Sequence, residues 1–351
     1  MGVMTDRLSL FKDKRVLITG HTGFKGSWLS RIFAMAGAEL AGYALPAEEL
    51  SMYRLCKQDS ILKSYEGDVR DFSHLRSIVN DFSPEYIFHL AAQPLVLEGY
   101  SYPRETYETN FMGTVNLLEC IRRGRGFRSV VLITTDKVYR EQKNACREDD
   151  ALDGFDPYSN SKSCAELAAA CYRRSFAMSA PISTARAGNT LGGGDFAANR
   201  ILPDCMRALL KGETVQVRHP YSVRPYLYVL DTLCAYISIA VRQAEQIELA
   251  GAYNVAPGAE IIQTGVLVEK VCREWGEGRS SVSSMPDAWH ETERLQLNNE
   301  KIRNSLHWRP HYSIDDAVRE TVAWTKAWQC GEDMALFTDR QIRAYLESAA
   351  K

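Results

Sequence analysis

The amino-acid sequence predicts an α/β fold, in which a doubly wound parallel sheet is joined to a smaller C-terminal lobe. A short β-branched strand, a glycine-rich turn and an amphipathic helix follow one another near the start of the chain. Further apolar strand-like runs and helical patterns follow, which is typical of a parallel sheet. At 351 residues, the chain is long enough for one large domain or two fused lobes.

The first strand covers residues 15–19, and a helix is predicted over 27–36. Between strand and helix, a glycine-rich turn places a helix N-terminus against a pyrophosphate, which favours a dinucleotide site over a purely structural turn. Gly20 makes the tight turn, Gly23 lets the backbone approach the phosphates, and Gly26 allows the helix to pack on the strand. The predicted cofactor-binding residues of the turn are Gly20, Thr22, Gly23, Phe24 and Gly26.

Later strand ends supply further predicted cofactor contacts. The second strand, 39–45, ends without the acid that normally holds the adenosine ribose, so this position does not decide the cofactor. Lys25 either favours a 2′-phosphate or faces solvent. Asp68 is expected to accept a hydrogen bond from the adenine amino group, whereas His89 is interpreted as a packed core histidine. The other predicted contacts are Val69, Leu90, Ala91 and Ala92.

Composition argues against several classes of protein. The formal net charge of -2 argues against a nucleic-acid-binding surface. The chain has nine cysteines and no Cys-x-x-Cys pair, which favours reduced thiols over a disulfide framework. No signal peptide and no apolar run of bilayer length is recognised. We therefore expect a cytoplasmic protein without nucleic-acid, membrane or metal partners.

A catalytic constellation is predicted from three side chains. Tyr158 and Lys162 are four residues apart, so they share one face of a helix. An ammonium beside a phenol lowers the phenol's pKa from about 10, which makes Tyr158 a candidate general base. Thr135 follows the apolar run 130–133, at the strand edge where ligands bind in open α/β sheets. Without this context, the same spacing would indicate only a surface helix.

Two helices are candidates for subunit contacts. One begins at Asn110 with apolar residues at helical spacing, and the other is the helix opened by Tyr158. These helices either pair with their symmetry mates in a homodimer or simply pack within one chain.

Several segments, in their order along the chain, give a more specific indication. They are GHTGFKGSW (20–28), AAQPLV (91–96), TTDKVY (134–139), REDD (147–150), DPYSNSK (156–162), TARAGN (184–189), GGGDFAANRILPD (192–204), Arg224-Pro225 and HETERLQLNNEK (290–301). With these motifs the chain resembles the extended short-chain dehydrogenases/reductases that act on nucleotide sugars, and among them the 4,6-dehydratases. The resemblance covers nearly the whole length.

The resemblance implies a domain organisation, a cofactor and a substrate. A Rossmann domain would cover 1–187, with 223–258 returning to it, and a lobe that binds the nucleotide sugar would comprise 188–222 and 259–351. The cofactor is expected to be NAD, with NADP not excluded. Homodimers are expected.

The resemblance also implies a mechanism. Tyr158 takes the proton of the sugar's 4-hydroxyl while C4 gives a hydride to NAD. A base then removes the C5 proton, an acid helps water leave from C6, and the hydride returns to C6. By analogy Asp136 is the acid and Lys137 the base, whereas related epimerases carry small residues here. A 4-epimerase and a non-enzymatic NAD(H)-binding sensor are the alternatives.

The second lobe is expected to hold the substrate. The substrate-binding residues implied by the resemblance are Gln93, Asn189, Arg200, Arg218, Arg224 and His290. Asn189 would contact a phosphate, and Arg200 and Arg224 would neutralise the diphosphate. This chain departs from the family pattern at 97–100 and at 226–228. We expect both departures to line the substrate side, so the nucleotide base and the sugar stay open.

Overall fold

The computed structural model describes residues 3–258, 261–283 and 292–349. Thirteen strands lie within these ranges: β1 (Arg15–Thr19), β2 (Glu39–Ala44), β3 (Lys63–Glu66), β4 (Tyr86–His89), β5 (Ser129–Thr135), β6 (Ile182–Ala187), β7 (Thr190–Leu191), β8 (Val215–Val217), β9 (Val223–Arg224), β10 (Leu227–Tyr228), β11 (Ala252–Val255), β12 (Ile262–Gln263) and β13 (Ser280–Val282).

Helices alternate with the strands over the first 187 residues and dominate the last third of the chain. They are α1 (Val3–Ser9), α2 (Phe24–Met35), α3 (Met52–Leu55), α4 (Phe72–Phe82), α5 (Val96–Ser101), α6 (Pro103–Tyr107), α7 (Gly113–Arg123), α8 (Pro157–Ser175), α9 (Ile201–Leu210), α10 (Val229–Glu245), α11 (Thr264–Trp275), α12 (Glu300–Leu306), α13 (Ile314–Gln329) and α14 (Met334–Ser348).

The central sheet has seven parallel strands in the order β11-β6-β5-β4-β1-β2-β3. The strand order reverses between β1 and β4, which opens a crevice at the carboxyl ends of these strands. The predicted doubly wound α/β fold is therefore confirmed. The crevice is the place where this fold binds ligands.

Both faces of the sheet are covered, as a parallel sheet requires. Along β1, successive side chains point to opposite faces: Val16 and Ile18 belong to the core under α2 and α10, and Leu17 to the core under α4, α7 and α8. All three side chains are buried. His89 is also buried, where Thr19 Oγ1 lies 2.7 Å from its Nδ1 and Thr114 Oγ1 lies 3.3 Å from its Nε2. Its prediction as a core histidine is confirmed.

Two helices begin at positions other than those predicted. Helix α2 begins at Phe24, directly after the glycine turn, rather than near residue 27. The helix expected from Asn110 is regular only from Gly113, because residues 108–112 form a π-helical turn. Asn110 is buried there, and its Nδ2 donates to the carbonyl of Gln93 at 3.0 Å and to Ser161 Oγ at 2.9 Å.

The remaining strands form three small two-stranded sheets, β10-β7, β12-β9 and β13-β8. Helix α14 is fixed to α2 by a two-point contact between Arg31 and Asp339, with N–O distances of 2.7 and 2.6 Å. The division into lobes at the predicted boundaries stays a prediction. Within the described part of the chain, no helix has the length and apolar character needed to cross a bilayer.

Candidate active site

The glycine turn after β1 is shaped by two close backbone contacts. Gly20 has a φ of +73°, and a Cβ there would lie 2.7 Å from the amide nitrogen of Ala91. A Cβ on Gly26 would lie 2.2 Å from the carbonyl oxygen of Gly20. Gly23 is different, since its Cβ would meet only that same oxygen, at an ordinary 3.4 Å. Gly20 and Gly26 are thus required by packing, and Gly23 leaves the start of α2 open to a ligand.

The other predicted cofactor residues lie around the same crevice. Ala91 donates its amide hydrogen to Thr19 Oγ1 at 3.3 Å, and Leu90 and Ala92 adjoin it at the end of β4. The Asp68 carboxylate accepts from Arg70 Nε at 2.9 Å. Burial tends to raise the pKa of Asp68, but its hydrogen bonds with Arg70 hold that pKa below the ordinary value.

Val69 and Thr22 support this crevice rather than open into it. Val69 is buried, and a Cβ on Gly113 would meet its side chain at 2.7 Å. Thr22 Oγ1 donates to the carbonyl of Leu45 at 3.2 Å, which ties the turn to the residue after β2. The sequence-predicted cofactor residues outside α8 thus follow the carboxyl ends of β1, β3 and β4, and their roles in binding stay predictions.

Lys25 points toward α10 and not to solvent, and its preference for a 2′-phosphate stays a prediction. Its Nζ donates to the phenol oxygen of Tyr236 on α10 at 3.4 Å. Burial lowers the pKa of Lys25 to about 8, and the charge of Arg200 contributes to this lowering. Burial and the charge of Lys25 also lower the pKa of Lys162 to about 7. Lys25 therefore belongs electrostatically to the catalytic cleft.

Thr135 and Asp136 lie at the carboxyl end of β5, where the strand gives way to a 3-10 turn over Asp136–Val138. Thr135 Oγ1 donates to Asp136 Oδ1 at 3.0 Å. Asp136 is only 3% exposed, and burial raises the pKa of its carboxyl group. Among the described residues its Oδ2 has no hydrogen-bond partner. Burial therefore favours the protonated form of this carboxyl group, while the charge of Lys137 opposes this effect.

Helix α8 brings Tyr158 and Lys162 beside Thr135. The helix is capped by Asp156, whose Oδ1 accepts from the amide nitrogen of Ser159 at 3.0 Å. Lys162 Nζ donates to the carbonyl oxygen of Ile133 at 3.1 Å.

The expectation that Lys162 lowers the pKa of Tyr158 is wrong for the ligand-free protein. Burial raises the pKa of Tyr158 to about 12, opposed in part by its hydrogen bond with Thr135. The physical reason is desolvation of the phenolate. In addition, the pKa of Lys162 is lowered, and its Nζ donates to the carbonyl oxygen of Ile133. The residues are gathered as predicted, but the phenol is not activated by them alone.

A buried polar network that sequence reasoning missed lies directly behind this site. Glu166 accepts from Arg186 NH2 at 2.9 Å, and Arg186 NH1 donates to the phenol oxygen of Tyr139 at 2.7 Å. Both charged side chains are at most 4% exposed. One feature could have indicated this pair: Arg186 is a charged residue within the buried strand β6, and Glu166 lies one helical turn after Lys162. Charged residues are rarely buried unless they are paired.

Two of the predicted substrate arginines lie near the catalytic turn. Arg224 is buried, and its charge acts to lower the pKa of Asp136. Arg200 NH1 pairs with Asp195 Oδ2 at 3.0 Å, and the charge of Arg200 also acts on Tyr158. Both cations are therefore close enough to influence the reacting groups.

The other predicted substrate residues have different surroundings. Gln93 uses its side chain within its own loop, where Nε2 donates to Thr106 at 2.9 Å and Oε1 accepts from the amide of Leu95. Asn189 lies between β6 and β7, and its carbonyl oxygen accepts from the amide of Leu227 at 2.9 Å. Arg218 is exposed directly after β8. The remaining residue, His290, lies outside the described residues.

The departure at 226–228 does not line the substrate side as expected. Tyr226, Leu227 and Tyr228 are all buried, and the ring of Tyr228 stacks on that of Tyr312 at 5.3 Å between centroids. These three side chains therefore contribute to core packing. The departure at 97–100 lies on α5, where a Cβ on Gly99 would approach the amide nitrogen of Tyr158 to 3.0 Å.

Asp136 and Lys137 line a cleft together with Tyr139 and Ser159. Its lining also includes Thr292, Arg294 and Gln296, which belong to the motif 290–301. Lys137 is half-buried. Among the described residues, no group of three or more His, Cys, Asp or Glu side chains is placed to hold a metal ion.

A Rossmann sheet that gathers Thr135, Tyr158 and Lys162 at its crevice defines an extended short-chain dehydrogenase/reductase. Within that class, the chain belongs to the family described as GDP-mannose 4,6 dehydratase, whose model matches residues 17–321.

The chain is also similar to individual proteins over nearly its full length. It is 40% identical to the CDP-glucose 4,6-dehydratase of Salmonella typhimurium, over 98% of this chain and 99% of the other. Among solved structures, the dTDP-glucose 4,6-dehydratase of Bacillus anthracis in complex with NAD has a TM-score of 0.75 and 21% identity, covering 92% of this chain and 98% of the other. The UDP-glucose 4-epimerase of Thermotoga maritima with UDP-glucose has a TM-score of 0.78 and 20% identity, covering 90% and 99%. These two structures share the fold.

Proposed function

We propose that this protein is an NAD-dependent nucleotide-sugar 4,6-dehydratase that converts CDP-glucose to CDP-4-keto-6-deoxyglucose. One observation carries the choice of reaction: the buried Asp136 carboxyl, with an unpartnered Oδ2, and Lys137 directly follow Thr135 on the cleft. The near full-length similarity to a CDP-glucose 4,6-dehydratase supports the choice of substrate.

The site fits a dinucleotide. Gly23 leaves the start of α2 open, and Gly20 and Gly26 set the shape of the turn that would receive the diphosphate. Lys25, the one cation of this turn, points to Tyr236 rather than outward, which supports NAD over NADP. When bound, NAD supplies the acceptor for a hydride from C4, the donor that returns it to C6, and a positive charge near the phenol.

Tyr158 and its neighbours move the first proton. The Tyr158 oxygen takes the proton of the sugar's 4-hydroxyl, and the charge of Arg200 acts to lower the pKa of this phenol. Burial has raised the pKa of Tyr158 to about 12, so the phenol needs an added positive charge before it acts as a base. A site of this kind reacts only when cofactor and substrate are both in place.

Asp136 and Lys137 carry out the elimination. Once C4 is a ketone, the C5 proton is acidic, and Lys137 takes it. Asp136 gives its proton to the departing C6 hydroxyl, so water leaves and a C5–C6 double bond remains. When the hydride returns to C6, Lys137 gives a proton back to C5. Burial raises the pKa of Asp136, which is the direction that favours a general acid.

The proposal is tested by incubating the purified protein with CDP-glucose, dTDP-glucose, GDP-mannose and UDP-glucose. We expect CDP-glucose to lose the mass of one water and to exchange the C5 hydrogen with deuterated solvent. A 4-epimerase on the same fold would invert C4 without either change. Cofactor binding without turnover of any sugar would instead support an NAD(H) sensor.

We also propose that the protein forms a homodimer through α7 and α8. Leu167 on α8 is 55% exposed, and Met112 before α7 is 43% exposed, so an apolar face is left uncovered on these helices. Light scattering on the wild type should give the mass of two chains. The variant Leu167→Glu should shift the protein toward monomer, and a monomeric wild type would refute the assignment.

A further inference from the structure

The carboxyl group of Glu166 lies behind the catalytic pair on α8. Tyr158, Lys162 and Glu166 follow one another at four-residue spacing, so they share one face of the helix. Glu166 Oε1 accepts from Thr134 Oγ1 at 2.5 Å, and Oε2 accepts from Thr184 Oγ1 at 2.7 Å. Through Thr134, the helix that carries the phenol is fixed to the last residues of β5.

Arg186, the partner of Glu166, reaches the other side of the catalytic turn. Its NH1 donates to the Tyr139 phenol at 2.7 Å and to the carbonyl of Glu148 at 3.0 Å. The guanidinium also lies over the Tyr139 ring, 4.9 Å from the centroid. Tyr139 in turn donates to Asn254 Oδ1 at 2.6 Å, which joins the network to β11.

The two members of one ion pair therefore anchor the segment that carries Asp136 and Lys137 at both of its ends. Glu166 binds Thr134 before the turn, and Arg186 binds Tyr139 after it. Within the turn, Thr135 Oγ1 donates to Asp136 at 3.0 Å, and the carbonyl oxygen of Val138 accepts from Ser163 Oγ at 2.7 Å. The ion pair therefore acts together with these bonds to hold the turn.

The energetics favour a geometric role for this pair. Both side chains are at most 4% exposed, so their charges have lost nearly all contact with water. Replacing a buried ion pair by apolar groups of similar volume is often neutral or stabilising, which makes such a pair weak evidence for stability. Its hydrogen bonds, however, are directional and fix several elements at once.

We propose that Glu166 and Arg186 are positioning residues that keep Asp136 and Lys137 in register with Tyr158, so that water loss follows oxidation on the same sugar. This inference rests on the proposed dehydratase function. Loosening the pair would then damage the elimination more than the oxidation at C4, because the elimination depends on the turn that the pair anchors from both sides.

The test measures both half-reactions with CDP-glucose in the wild type and in Glu166→Gln. Absorbance of the reduced nicotinamide reports oxidation at C4, and mass loss of water reports elimination. In Glu166→Gln we expect kcat for water loss to fall about 10- to 100-fold, KM to change less, and the fraction of enzyme with reduced nicotinamide to rise. The matched control is Asp339→Asn, which breaks the partly buried Arg31 pair away from the cleft and should leave this partition unchanged.

The double variant Glu166→Gln/Arg186→Met keeps the inference testable if the single variant does not fold, because it leaves no unpaired buried charge. It should fold and show the same accumulation of reduced nicotinamide. The positioning role would be overturned if either folded variant kept the wild-type ratio of water loss to C4 oxidation. A wild type that removes no water from CDP-glucose would overturn the proposed function instead, so the two failures are distinguishable.

Discussion

The hydroxyl group of Thr135 donates to Oδ1 of Asp136 at 3.0 Å, while Oδ2 of the same carboxyl group has no partner among the described residues. One residue at the end of β5 thus orients its neighbour and also hydrogen-bonds to Tyr158. Thr135 therefore contacts one residue proposed for oxidation at C4, Tyr158, and one proposed for loss of water, Asp136.

Asp136→Asn should block the elimination selectively. An amide cannot give up a proton as a carboxylic acid does, and general acid catalysis contributes about 10²- to 10⁴-fold. We expect water loss to slow by that factor while C4 oxidation continues, measured by mass and by nicotinamide absorbance. Asp149→Asn, which changes an exposed carboxylate, is the control and should retain wild-type rates.

Lys137→Ala should abolish exchange of the C5 hydrogen with deuterated solvent, because the base that removes this proton is lost. Some hydride transfer from C4 should remain, since the proposed base for that step is Tyr158. Nuclear magnetic resonance of the recovered sugar measures the exchange. Full dehydration by this variant would remove Lys137 from the mechanism.

Tyr158→Phe should stop both half-reactions, because oxidation at C4 comes first. We expect a loss of about 10²- to 10⁴-fold in reduced nicotinamide formed per second, the range of general base catalysis. Tyr107→Phe is the matched control, since the Tyr107 phenol donates to Asn160 at 2.9 Å on the same helix without reaching Thr135. Equal rates in the two variants would contradict the role of Tyr158.

Substitution of two glycines of the turn should affect different properties, stability for Gly26 and NADH binding for Gly23. Gly26→Ala places a methyl group 2.2 Å from a backbone oxygen and should lower the free energy of unfolding by about 3 kcal/mol, the upper end for overpacking. Gly23→Ala meets only an ordinary contact at 3.4 Å, so stability should change by less than about 1 kcal/mol while NADH binding weakens. Denaturant unfolding and NADH fluorescence measure these effects, and unweakened NADH binding by Gly23→Ala would count against the turn as the diphosphate site.

Acid should destabilise the protein through His89. Burial lowers its pKa from 6.5 to about 3, so below pH 6.5 the unfolded chain binds a proton that the folded chain does not. The free energy of unfolding should therefore fall as the pH drops from 6.5 toward 3, by at most about 1.4 kcal/mol per pH unit from this residue. In His89→Gln this part of the slope should disappear, and an identical slope in both proteins would refute it.

The strands and the glycine turn were predictable because local patterns decide them. The run 15–19 is β-branched and apolar, and it forms β1 within the predicted bounds. Helix α2 begins earlier than predicted because close packing of Gly26 on Gly20 lets the helix start at the turn itself. The predicted grouping of Tyr158 and Lys162 depended only on helical spacing, and α8 places both beside β5.

What the sequence did not reveal depends on distant neighbours. The raised pKa of Tyr158 comes from burial, which spacing along one helix does not encode. Lys25 was placed at the surface or at a 2′-phosphate because nothing local shows that α10 brings Tyr236 within 3.4 Å. The pair of Glu166 and Arg186 escaped notice for the same reason, since its members meet only when α8 packs on β6.

The parallel pairing of β11 with β6 has a consequence for synthesis of the chain. The ribosome completes β6 at residue 187, yet the partner strand ends only at residue 255. During that interval the nascent protein carries an open sheet border with unsatisfied amide and carbonyl groups, a template for aggregation. Chains that stop between residues 187 and 255 would therefore be prone to aggregation and would not form a smaller active enzyme.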